Sequence, residues 1–177
     1  MTGRMGVEFT EKKESMKKSI WVLGIMGLLG TFLSGQAGGA IPISACGTVM
    51  TFSESYYLTN DILNCYPSSG PAAAITIQAD NVTLDLHGHT VSGRGSPKGY
   101  GIYINGARNV WVHNEVIKNF GHGVLILSES SVNPVRHPDS VPIENNRIEN
   151  NMRGIFGNRV GTLTNFYIRN NRFSFNN

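Results

Sequence analysis

Residues 143–151 read IENNRIENN, and residues 168–177 read IRNNRFSFNN. In both stretches an apolar residue is followed by a charge and two asparagines. Asparagine is a poor residue for helix interiors and for ordinary strands. Its return at fixed offsets needs a structure in which it has a repeated place. Working outward, NVTLD (81–85), NVWVH (109–113), SVPIE (140–144) and NFYIR (165–169) share one pattern, with second residues Val82, Val110, Val141 and Phe166 stepping by 28, 31 and 25. Val91, Ile117, Ile148 and Phe173 make a second column, with steps of 26, 31 and 25. A third column follows glycine or alanine: Ile75, Ile102, Val124 and Ile155, with steps of 27, 22 and 31.

Three short strands per repeat, each too short to bury a face alone, mark a solenoid. Ordinary hairpins of a β-sandwich have no reason to hold three columns in step through coils of unequal length. Strand alternation points Val82, Leu84, Val110, Val112, Val141, Ile143, Phe166 and Ile168 inward. A second inner face takes Ile75, Ile77, Ile102, Ile104, Val124 and Ile126. Asn114, Asn145 and Asn170 fall where one strand turns into the next. There an amide can bond the turn backbone and its counterpart in the next coil. Gly95–Tyr100 and residues 128–140 carry the excess length and read as loops. The fold expected is all-β, a right-handed parallel β-helix of about four to five coils.

At 177 residues the chain is one domain long. Lys17-Lys18, the apolar run 20–33 and the small residues SGQA have the order of a secretory signal peptide over residues 1–37, cleaved after Ala37. Residues 1–15 read as a misassigned start or short extension, because Met16 is the better start. Residues 38–73 read as an N-terminal capping segment with the first coil, and 74–177 as further coils, the last incomplete. The leader holds five of the fifteen Lys/Arg and three of the twelve Asp/Glu, so the remainder carries a net +1. That gives no case for nucleic acid, and no membrane association is expected beyond the leader. In an exported chain, Cys46 and Cys65 are expected to form a disulfide. Localisation is expected to be secreted, periplasmic or at the cell surface.

CGTVMTFSESYYLTNDILNC (46–65) followed by AITIQADNVTLDLHGHTVSG (74–93) resembles the opening of right-handed parallel β-helix repeat proteins of the pectate-lyase-like superfamily. Members often begin with a paired-cysteine coil and a strand ending in an Asp-Leu-Asn-Gly-His turn. Here the turn is Asp85-Leu86-His87-Gly88-His89, with His87 in place of asparagine. The resemblance implies the fold. Its members include lyases, hydrolases, epimerases, copper-delivery accessory proteins and surface proteins, so it implies no single activity. It carries over no catalytic residue.

Chemistry is expected on the outward positions. Thr83, Trp111, Pro142 and Tyr167 form one row; Asp85, His113, Glu144 and Arg169 form the next. Trp111 and Tyr167, two coils apart, would lie about 10 Å from each other and suit the apolar ring faces of a polysaccharide. The four titratable residues are the types that glycosidic cleavage or uronate proton abstraction requires. They equally make a cross-strand charge ladder that only stabilises the sheet. Pro142 removes a ladder donor and implies that its strand begins late or bulges. His87 and His89 are candidate copper or zinc ligands; no other cofactor is indicated. Three readings follow: a carbohydrate-binding or polysaccharide-processing protein, a non-catalytic structural or surface module or fragment of a longer chain, and a periplasmic metal-delivery accessory protein. End-to-end association through an open C-terminal coil is a further expectation.

Overall fold

The computed structural model describes residues 39–66, 72–95, 98–158 and 165–174. The expected leader lies outside them. All regular structure among the described residues is β. Sheet A contains β1 (Ile41–Ile43), β3 (Ser55–Leu58), β6 (Val82–Asp85), β9 (Val110–His113), β12 (Ile143–Glu144) and β15 (Ile168–Arg169), in that order. Sheet B runs through β2 (Thr48–Met50), β5 (Ala73–Ile77), β8 (Tyr100–Asn105), β11 (His122–Leu127) and β14 (Arg153–Asn158). Sheet C runs through β4 (Ile62–Cys65), β7 (Thr90–Gly93), β10 (Val116–Lys118), β13 (Arg147–Glu149) and β16 (Arg172–Ser174). The chain visits B, A and C in turn, and each strand pairs in parallel with its counterpart one coil away. The protein is a parallel β-solenoid.

Register follows the columns read in the sequence. Val82 pairs with Val110, Ile117 with Ile148, and Val124 with both Ile102 and Ile155. The inward residues make one apolar core that runs the length of the coils. Toward the last described coil this cover thins. Phe166 is half-buried, and Ile168, expected to point into the core, and Phe173 of the second column are 44% and 51% exposed because no later described coil covers them. The small residue ahead of the third column also has a cause. Gly101, Gly123 and Gly154 stack at the start of the sheet B strands. A Cβ on Gly123 would come within 2.6 Å of the Gly154 carbonyl oxygen and 2.9 Å of the Ile148 side chain.

The asparagine pairs divide their work. Asn145, Asn150 and Asn170 have φ of 56°, 51° and 54°, the left-handed conformation that turns each corner. Asparagine tolerates this region better than other side chains bearing a Cβ, because its short amide bonds locally. The second asparagine points inward. Asn151 is fully buried; its Oδ1 accepts from the Phe120 N–H at 2.9 Å and its Nδ2 donates to the Ile117 carbonyl at 3.1 Å. Asn146 and Asn171 donate likewise to the carbonyls of Val112 and Ile143, one coil back. The amide-to-amide ladder expected along Asn114, Asn145 and Asn170 forms between Asn170 and Asn145 at 3.3 Å, and a bond of the same kind outside that column joins Asn109 to Asn81 at 2.9 Å. Asn114 instead donates to Asp85.

Cys46 and Cys65 form a disulfide with Cα atoms 5.6 Å apart. It joins the turn before β2 to the end of β4, closing the first coil on itself. Free-thiol titration of the oxidised protein should find no reactive cysteine, and reduction should remove up to about 3 kcal/mol of stability by the loop-entropy argument. Two reactive thiols in the oxidised protein would contradict the pairing.

Candidate functional site

The short strands of sheet A place the two outward rows. Register aligns Thr83 with Trp111, and Val112 with Ile143, which aligns with Ile168. Trp111, Pro142 and Tyr167, each one residue earlier, therefore succeed one another along the outer face. Pro142 lies just ahead of the two-residue β12, so this strand does begin late. Trp111 and Tyr167 are 42% and 44% exposed. The low proline between them leaves a hollow of about 420 Å³. Thr83, Trp111, Pro142 and Tyr167 make its floor; Asn81 and Asn109 line one rim, Glu144 and Arg169 the other.

The second row is paired, and much of it is covered. Asp85 lies 3.8 Å from His113, and Arg169 donates through Nε and Nη2 to Glu144 Oε2 at 2.9 and 2.6 Å. His113 and Glu144 point outward yet are only 9% and 5% exposed. The Trp111 ring leans over His113 with centroids 4.3 Å apart, and the Arg169 side chain accompanies Glu144. Arg169 also lies 5.3 Å from the centre of the Tyr167 ring. The Arg169–Glu144 pair on adjacent strands is of the kind that stabilises a sheet, and the exposed rings of Trp111 and Tyr167 lie against His113 and Arg169.

His87 and His89 turn to different carboxylates. His87 has φ of 50°, and its Nε2 lies 3.4 Å from Asp85 Oδ2. This left-handed corner is a position asparagine also accepts. His89 Nδ1 lies 3.1 Å from Asp61 Oδ1. The Thr90 N–H, and then His89, hold the Asp61 carboxyl below the usual range. Among the described residues no cluster of three or more His, Cys, Asp or Glu side chains converges on one point.

Arg136 ties loop 128–140 down by donating to the Gln78 carbonyl, Glu129 and Asp80. His137, in the same loop, meets the Ser128 hydroxyl at 2.7 Å. The mixed charges of this loop therefore anchor it. The sequence reading did not single out the outer face of sheet B. Tyr100, His122 and Phe156 pack there with His122 between the other two rings, and Arg153 covers Phe156 at 4.5 Å. Burial, and then Arg153, push the His122 imidazole below its ordinary pKa. A hollow of about 340 Å³ on the same sheet is lined by Tyr103, Asn105, Leu127 and Asn158. Alternation could have pointed to these aromatics, since Tyr103 and Phe156 lie on one outward row.

The fold and this face define a class: a parallel β-solenoid with a shallow aromatic groove on one sheet. Comparison of the sequence with family models, with curated proteins and with solved structures finds no match. The functional reading therefore stands on the geometry.

Proposed function

We propose that the protein is an exported carbohydrate-binding β-solenoid, and that sheet A holds the sugar chain across Trp111 and Tyr167. The observation that carries this reading is the pair of half-exposed rings on one row, flanked by amides and a paired guanidinium. Aromatic faces take up the apolar faces of sugar rings, while amides and guanidinium groups meet hydroxyls. The disulfide agrees with an oxidising compartment. Binding is favoured over polysaccharide cleavage because Asp85 and Glu144 each have a basic neighbour on the next strand, and Glu144 is covered.

The test is a pair of variants one residue apart. Trp111→Ala should weaken retention on a binding polysaccharide by about fivefold or more, the loss of a contact worth about 1 kcal/mol. Its stability should change little. Val112→Ala empties a fully buried site and should cost roughly 1–3 kcal/mol of stability. A panel of acidic and neutral polysaccharides supplies the ligands. If wild type and both variants ignore every member, the reading fails.

A further inference from the structure

We infer that the chain held on sheet A is an uncharged, extended polysaccharide running along the solenoid axis; this rests on the carbohydrate-binding reading. Direction comes from the row itself. Trp111 and Tyr167 are two strand steps apart, about 10 Å, with Pro142 between them. A flat, extended chain of sugar rings can place alternate rings on the two aromatics. The intervening ring then passes over the proline, with its hydroxyls toward Asn109 and Arg169. A ligand lying across the strands of one coil would meet only one of the two aromatics.

Charge decides the ligand class. Among the described residues that line the groove, Arg169 is the sole cation, and it is held by Glu144 through two donated bonds. Glu144 is 5% exposed, and a covered carboxylate parts with its guanidinium partner at high cost. The second row carries Asp85 and Glu144 against Arg169 and His113, so it sums to no positive charge even with the imidazole protonated. A uronate chain would bring a carboxylate on each ring to a face whose one guanidinium already serves Glu144 and whose second row also carries Asp85. A neutral chain makes the same stacking contacts and hydroxyl bonds without bringing that charge.

The experiment compares a β-1,4-linked glucan hexasaccharide with its counterpart oxidised to the uronic acid at each C6, using calorimetry on the disulfide-bonded protein. The two share backbone and linkage and differ in charge. The neutral chain should bind at least tenfold more tightly, with affinity little changed between low and moderate salt. Glu144→Gln releases the Arg169 guanidinium and should narrow or reverse the preference. A uronate bound as tightly as the glucan, with Trp111→Ala weakening it, overturns the inference and leaves the binding face standing. If neither hexasaccharide binds, the inference is overturned; the reading beneath it falls only if every polysaccharide of the panel is ignored as well.

Discussion

Asn151→Ala should destabilise the protein by about 2–4 kcal/mol, since each buried polar group left without a partner costs about 1–3 kcal/mol. Asn150→Gly, one residue earlier, should change stability by less than about 0.5 kcal/mol. The contrast follows from the division of labour within one Asn-Asn pair. Removing the Asn151 amide leaves the Phe120 N–H without its acceptor and takes a donor from the Ile117 carbonyl, both in the apolar interior. Asn150 is exposed and supplies a φ of 51°, which glycine adopts without strain. Thermal melts should show a drop of roughly 5–15 °C for the first variant and almost none for the second. Equal losses from both would mean that the pair has a single shared role, contrary to the geometry.

The second large effect concerns Glu115. Register places it opposite Asn146 in the inward asparagine column. It is 3% exposed, and neither carboxylate oxygen has a hydrogen-bond partner. Burial, and then the negative charge of Asp85, push its carboxyl well above the usual range. The folded state therefore holds this proton more tightly than the unfolded chain does. Its contribution to stability is full below the unfolded pKa and is lost as pH rises through the folded value. Wild type should accordingly lose stability on going from acidic to alkaline pH, with a limiting slope of about 1.4 kcal/mol per pH unit for one proton. Glu115→Gln keeps the shape without the ionisation and should flatten that dependence. Parallel slopes for the two proteins in denaturant titrations would show that Glu115 is ionised in the folded state.

What the sequence disclosed, and what it hid, divides along a physical line. The columns through Val82, Ile117 and Val124 were legible because a solenoid repeats its strand pairing, and spacing alone records that. The outward placement of Trp111 and Tyr167 followed from alternation within those strands. The left-handed corners were less accessible. The repeat suggested a ladder of amides, whereas the dominant feature is backbone conformation, with amide bonding in some of the steps. The burial of Glu115, His113 and Glu144 was hidden, because it depends on what stacks one coil away. A glutamate after Asn114 looks like any solvated strand edge until Asn146 is seen above it. His87 and His89 show the same limit: their spacing suggested a shared ion, while the turn sends them to separate acids.

The constancy of the corners has a consequence for measurement. Spacing between equivalent positions varies from 22 to 31 residues, yet the strands still meet in register because the surplus is put into side loops. The outer face is thereby graduated like a ruler, with one mark for each turn of the chain, about 4.8 Å apart. Lengthening a loop leaves the marks where they are; adding a turn adds one mark. A molecule laid along such a scale is gauged in whole divisions, and the length it can span changes only by integers.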